Sequence, residues 1–266
     1  MYFDSHAHYD SGAFDRDRDS LLRALPGSGV DGLINCGCDL ESSLASVRLA
    51  ERYPYVWAAV GTHPEDADSF SETVLERYRT LLKHPRVAAV GEIGLDYHYE
   101  DAPSREQQLF AFRRQMDLAA ETGMPVIVHV RDAMGDAMEV AREYAGKVTG
   151  VFHCFAGSVE TARELLKMGW YLGFTGVLTF KNGKKAAQVV EYAPLSRLLL
   201  ETDCPYMAPE PFRGRRCDSR MLEMTCEKMA QIKEVTPEAC AAATQENVQR
   251  LFFRTADTPK KTGDEA

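Results

Sequence analysis

Met1-Tyr2-Phe3-Asp4-Ser5-His6-Ala7-His8 opens the chain. Its apolar start reads as a strand, and residues two apart on an extended backbone leave the same face. His6 and His8 therefore share a face. Two neutral imidazoles side by side make half of a metal site, one that suits zinc, manganese or iron better than calcium or magnesium alone. Taken alone, the pair also fits surface histidines on a frayed terminus, so the rest of the chain has to supply the missing ligands.

Outward from this stretch, a short apolar run followed by a helical period recurs. Strands are expected at 1–6, 32–36, 55–61, 87–92, 125–129, 150–154, 171–174 and 198–203. Helices are expected at 16–24, 40–52, 72–82, 105–122, 133–144, 159–168 and 184–192, with two more at 220–233 and 237–252. Nearly continuous apolar strands alternating with helices indicate parallel strands covered on their outer face. Eight such units predict a closed (β/α)8 TIM barrel of the α/β class. An open doubly wound sheet is the alternative, but no glycine-rich dinucleotide fingerprint follows the first strand. The expected organisation is one barrel domain over 1–253 and a polar C-terminal tail over 254–266.

The totals agree with that size of domain. A chain of 266 residues buries about three quarters of its unfolded surface and needs no staples. Its seven cysteines, an odd number without zinc-finger spacing, suit a reducing cytosol. The N-terminus has neither a basic region nor a cleavage pattern, and no apolar run approaches the ~20 residues of a membrane span. A cytoplasmic protein with no membrane association and no obligate protein partner is expected. A net charge of −9 argues against a general nucleic-acid coat. It leaves room for an enzyme that grips one or two phosphates locally, especially beside metal ions.

The polar residues fall where the strands end. His6 and His8 end the first strand, His63 follows the third, and Glu92 ends the fourth. His129 ends the fifth, His153 the sixth and Asp203 the eighth. In a (β/α)8 barrel these ends open onto the face that holds active sites. Any one of them alone fits a hydrogen-bonded loop residue or a helix cap. Together they form a buried cluster that is costly without compensation, and bound metal provides it. His84 and His98 serve as the comparison: one sits in a helix-to-strand loop on the opposite face, the other in the loop after the fourth strand.

This order of ligands resembles the amidohydrolase superfamily of metal-dependent hydrolases, and more closely its TatD family of metal-dependent deoxyribonucleases. The matching stretches begin with Phe3-Asp4-Ser5-His6-Ala7-His8, Val60-Gly61-Thr62-His63-Pro64 and Gly91-Glu92-Ile93-Gly94-Leu95-Asp96-Tyr97. They continue with Pro125-Val126-Ile127-Val128-His129-Val130-Arg131, Phe152-His153-Cys154-Phe155 and Leu200-Glu201-Thr202-Asp203-Cys204-Pro205-Tyr206, then Thr244-Gln245-Glu246-Asn247. The resemblance implies two divalent metal ions (Mg, Mn or Zn). His6, His8 and Asp203 would hold one, His129 and His153 the other, and Glu92 would bridge them. It implies a 3′–5′ exodeoxyribonuclease acting on single-stranded DNA ends through a metal-activated water, with Asp203 orienting that water and taking its proton. A dinuclear site also suits attack on an amide or ester, for example in an aminoacyl-tRNA deacylase-like activity.

Around this set, His63 is expected to contact a phosphate or protonate a leaving oxygen, with a loop histidine bonded to a backbone carbonyl as the alternative. Arg131 and the cluster Arg213, Arg215 and Arg216 are placed for phosphate contact. Tyr97 and Tyr206 are candidates for base stacking. Glu201 either orients a ligand or sits inside the barrel paired with a lysine or arginine. Cys154 and Cys204 read as packing residues. Where the family pattern has asparagine and then proline, this chain has Cys217-Asp218-Ser219, so the substrate contacts of that loop are in doubt. Strand one is expected to pair with strand eight.

Overall fold

The computed structural model describes residues 1–253, and the expected tail over 254–266 lies outside the described residues. The elements alternate as β1 (Tyr2–Ala7), α1 (Arg18–Ala24), β2 (Val30–Cys36), α2 (Leu40–Arg52), β3 (Val56–Val60) and α3 (Glu72–Leu81). β4 (Val87–Asp96), α4 (Arg105–Thr122), β5 (Val126–Arg131), α5 (Met134–Glu143), β6 (Gly150–Phe152) and α6 (Val159–Lys167) follow. The chain continues with β7 (Tyr171–Phe174), α7 (Lys184–Tyr192), β8 (Leu198–Leu200), α8 (Leu222–Lys233) and α9 (Pro237–Phe252). The strands form one parallel sheet in sequence order, β1 to β8. It is the expected (β/α)8 barrel.

Local chemistry sets the helix starts. Asp39 and Ser42 cap α2 reciprocally, as Ser104 and Gln107 cap α4, each pair satisfying backbone N–H groups that the first turn leaves free. Thr236 followed by Pro237 starts α9 with a cap and a preset φ.

Apolar packing lies on both sides of the sheet. Val90, Phe112, Val128, Phe152, Trp170 and Leu172 belong to a buried layer between strands and helices. Inside, Phe3, Ile34, Ala59, Ile127, Val151 and Leu199 meet Leu251 and Phe252 of α9. Such a filled interior is a packed core rather than a pore.

The barrel closes differently from the expected ladder. β8 stops at Leu200, and the only backbone bridge to β1 among the described residues is Ala7 to Cys204. Side chains complete the seam. Asp4 is fully buried and accepts from the Thr202 N–H at 2.9 Å, the Thr202 hydroxyl at 2.6 Å and the Ser219 hydroxyl at 2.6 Å. The Ser5 hydroxyl donates to the Leu200 carbonyl at 3.0 Å, and the Asp203 N–H donates to the His6 carbonyl at 2.9 Å. The His8 N–H donates to the Cys204 carbonyl at 2.8 Å as well, so two backbone bonds share the seam with these polar side chains.

Candidate metal centre

Two interruptions of the sheet register lie beside the central residues. One falls between Asp4 and Ala7 on β1, the other between Val90 and Ile93 on β4. Such irregularities bend a strand and re-aim its side chains, here those of His6 and Glu92. Gly94 has φ 144°, and a Cβ there would lie 2.0 Å from the His129 carbonyl oxygen, so β4 can run against β5 at this point only as glycine. Five non-glycine residues have positive φ among the described residues, and Asp132, Cys154, Asp203 and Met207 are four of them. All four follow strand C-termini. A left-handed residue costs about 1–2 kcal/mol, a strain that clusters at functional sites.

The predicted residues meet. The His6 and His8 Nε2 atoms are 2.9 Å apart. They lie 3.2 and 3.4 Å from Glu92 Oε2, and 3.6 and 3.4 Å from Asp203 Oδ1. On the other side of Glu92, His129 Nδ1 is 2.9 Å and His153 Nε2 2.8 Å from Oε1. His6 and His153 stack with ring centroids 4.0 Å apart. His63 Nε2 stands 3.6 Å from Glu92 Oε1. His84 pairs with Glu51 and His98 with Asp132, both away from this cluster.

The outer nitrogen of each ring reveals what the inner one offers. His8 Nδ1 lies 2.9 Å from the Cys36 carbonyl oxygen, which only accepts, so the neutral ring carries its proton there and turns a lone pair inward. His129 Nε2 lies 3.1 Å from Asp96 Oδ2, the carboxylate partner typical of a metal-bound histidine. His153 Nδ1 has no hydrogen-bond partner and points at Glu201 Oε1, 3.7 Å away. His6 Nδ1 lies 3.6 Å from Cys36 Sγ. His63 is the exception: its Nδ1 accepts from the Glu65 N–H at 3.2 Å, so its neutral ring holds the proton on Nε2. Neutral His8 and His129 thus turn lone pairs toward Glu92, and His63 turns a donor.

Charge divides the rings differently, with His8, His129 and His153 raised and His6 and His63 lowered. Burial works against ionised Glu92, but His153, His6, His63 and His129 outweigh it and hold this carboxyl well below its usual range. Burial likewise opposes charge on Asp203, and His8, His6 and His153 overcome it. Burial, with His153 beside it, lowers His6 to about 4; burial, against the pull of Glu92, lowers His63 to about 3. Burial also opposes charge on His129, yet contact with Asp96 and Glu92 raises it to about 9. Buried carboxylates among imidazole nitrogens form the nitrogen–oxygen donor set that divalent transition metals take. His6, His8 and Asp203 bring donor atoms within 4.8 Å of one another; so do His6, Glu92 and His153, and likewise His63, Glu92 and His129. The residues fit a metal centre, with a cation displacing the imidazolium protons.

Several expectations change. Tyr97 donates its hydroxyl to Asp136 at 2.7 Å and packs on the core, so it is not offered to a base. Arg216 pairs with Asp17 at 2.6 Å, and Arg213 lies over the Phe180 ring at 4.4 Å, which separates the cluster. Arg131 and Tyr206 do line the mouth. Cys204 is buried as expected, but Cys154 lines the mouth instead of packing inside. Glu201 has no lysine or arginine: it accepts from the Cys154 N–H, with the Ser5 hydroxyl 3.5 Å away, and burial raises it to about 8. A Cβ on Gly173 would come within 2.2 Å of Glu201 Oε2, so a glycine makes room for this carboxyl. Sequence reading gave no role to Asp96, Cys38 or Tyr99. Cys38 joins His8 and Glu92 within 4.8 Å, and Arg131 donates to the Tyr99 hydroxyl at 3.1 Å. Asp96 stood inside the quoted β4 stretch, two positions beyond Gly94, so strand alternation was an available signal.

The family model described as TatD related DNase matches residues 3–253. This chain belongs to the TatD family. A TatD relative from Bacillus subtilis (strain 168), named uncharacterized metal-dependent hydrolase YabD, is 40% identical over 253 residues, covering 95% of this chain and 99% of that protein. A protein of Cronobacter turicensis named 3′-5′ ssDNA/RNA exonuclease TatD is 36% identical over 260 residues, covering 96% and 98%. The crystal structure of the TatD homolog YJJV from Escherichia coli k12 superposes with a TM-score of 0.89 at 29% identity, covering 96% of this chain and 98% of that one. The TatD chain described here is thus a metal-dependent hydrolase acting on ester bonds.

Proposed function

We propose that the chain is a divalent-metal-dependent 3′–5′ exonuclease that hydrolyses the terminal phosphodiester of single-stranded DNA. The observation that carries this reading is the convergence of five imidazoles on the two oxygens of Glu92, with Asp203 beside His6 and His8. TatD membership supports the bond type, and the name of the Cronobacter turicensis relative supports the 3′ end and the single strand. His6, His8 and Asp203 would hold one ion, His129 and His153 a second, with Glu92 between them. When bound, such ions supply Lewis acidity toward the phosphoryl oxygens and toward water.

The chain's own groups do the rest. Asp203, ionised and turned inward, accepts a proton from the water that attacks phosphorus. The bond from phosphorus to the preceding O3′ breaks, releasing a nucleoside 5′-monophosphate. His63, neutral, hydrogen-bonds through Nε2–H to the departing oxygen and stabilises its developing charge, while solvent water supplies the proton that O3′ keeps. Arg131, held on the Tyr99 ring at 5.0 Å, answers phosphate charge. Tyr206 is exposed and free to stack on a base, and Arg213 lies farther out for the strand's backbone.

Metal analysis of two variants tests the division. His129→Ala is expected to lose bound metal along with turnover. His63→Ala is expected to keep its metal and lose about 10²–10³-fold in kcat, the scale of one hydrogen-bond donor to developing charge. Equal metal loss in both variants would make His63 a ligand and refute the assignment.

A further inference from the structure

The barrel mouth opens into two unlike halves. One, of about 580 Å³, is polar and includes Asp10, Glu65, Asp66, Asp96 and Arg131. The other, of about 390 Å³, is walled by Val130, Phe155, Phe174, Val177, Leu178 and Met207. The two meet at His129, Arg131, His153, Asp203 and Met207, which line both. We propose that the apolar half seats the nucleobase of the nucleotide being released, and grips it by contact rather than by hydrogen bonds. This inference rests on the exonuclease reading.

Continuity is the first argument. A phosphorus held among His129, His153 and Asp203 carries two nucleosides, and one of them must leave toward each half. Only the apolar half gains from covering a flat ring, because burying apolar surface is favourable and burying carboxylates is not. The carboxylates of the other half repel phosphate, so the upstream backbone is left to the Arg131–Tyr99 pair at the boundary between the halves. Size agrees, since a volume near 390 Å³ falls in the usual range for small-molecule sites, which are mostly apolar with few polar groups.

The second argument concerns the polar atoms that do reach this half. The Thr175 hydroxyl is taken by the Val177 N–H at 3.3 Å and by Cys154 Sγ at 3.4 Å. The Cys154 N–H is given to Glu201. Asn182 and Lys185 line the half but are exposed, where water competes for them. The Thr175 hydroxyl and the Cys154 N–H are therefore engaged already, and Arg131 at the boundary is held on Tyr99. A site built on hydrogen bonds rejects an analogue that lacks them, whereas an apolar wall discriminates weakly. Every base offers a ring face, so the recess is expected to distinguish a base from no base far more than one base from another.

The test compares single-stranded oligonucleotides identical except for the 3′-terminal residue, which is dA, dC, dG, dT or an abasic tetrahydrofuran nucleotide. With manganese supplied, the four natural ends are expected to agree within about fivefold in kcat/KM. The abasic end is expected to be about tenfold slower or worse, the scale of one lost base contact. Val177→Phe and Ala186→Phe, which fill the recess, are expected to shrink that ratio toward one. An abasic end cleaved as fast as the natural ends overturns the inference while leaving the nuclease reading intact, and this arm needs no variant. A ratio unchanged in variants that retain the wild-type circular dichroism also overturns it. Failure to cleave any oligonucleotide overturns the exonuclease reading and this inference with it.

Discussion

Ser219→Ala is expected to destabilise the protein by about 3 kcal/mol. The Ser219 hydroxyl is fully buried, donates to Asp4 Oδ2 at 2.6 Å and lies 2.8 Å from the Tyr9 hydroxyl. A hydrogen bond to a charged group contributes about 1.5–3 kcal/mol, and a buried hydroxyl left without its partner costs roughly 1 kcal/mol more. The partners stand 215 residues apart, so no local helix preference can account for the loss. In a domain of this length, 3 kcal/mol lowers Tm by roughly 6–12 °C. Urea denaturation in the presence of chelator measures it without the contribution of bound metal. Ser69→Ala, whose exposed hydroxyl donates to the Asp66 carbonyl at 2.8 Å, should stay within about 0.5 kcal/mol. In an Asp4→Asn background the cost of Ser219→Ala should shrink by about 1 kcal/mol or more, because the charged acceptor is gone. A loss below 0.5 kcal/mol, or an equal loss in both backgrounds, would refute the side-chain account of barrel closure.

Asp96→Asn is expected to lower metal affinity or turnover by about 10–100-fold with the fold preserved, since it releases the His129 ring; metal titration followed by activity measures it. Arg131→Ala should raise KM about tenfold and flatten the salt dependence of kcat/KM by roughly one phosphate contact, read from a series of ionic strengths. Arg216→Ala removes the pair with Asp17, a bond to the Ala13 carbonyl and the contact over the Phe14 ring, so urea denaturation should show a measurable loss of stability while nuclease assays show no loss of turnover.

Much of the centre was legible because strands encode direction. His129 and His153 each stand at or just past the end of a buried apolar run, and parallel topology sends all such ends to one face. The pair His6 and His8 followed from alternation alone. What the sequence hid was pairing at a distance. Asp4 looks like any polar residue near a terminus until Thr202 and Ser219 arrive beside it. Arg216 sits one residue from Arg215, yet Asp17 holds it. Tyr97 was read as facing the mouth, but its hydroxyl meets Asp136 on the helix beyond β5. The role of His63 turned on the Glu65 backbone N–H, a local contact whose meaning depends on a ring orientation that spacing does not give.

The seam has a further consequence, for synthesis. Chains emerge from the ribosome at about 5–20 residues per second, so Ser219 follows Asp4 by roughly 10–40 s. During that interval β1 can pair with β2 on one side, but its other edge has no partner, and open strand edges recruit foreign strands. A buried carboxylate at the centre of that waiting edge makes it a poor template for an apolar intruder. Asp4 thus serves the nascent chain before it serves the finished barrel.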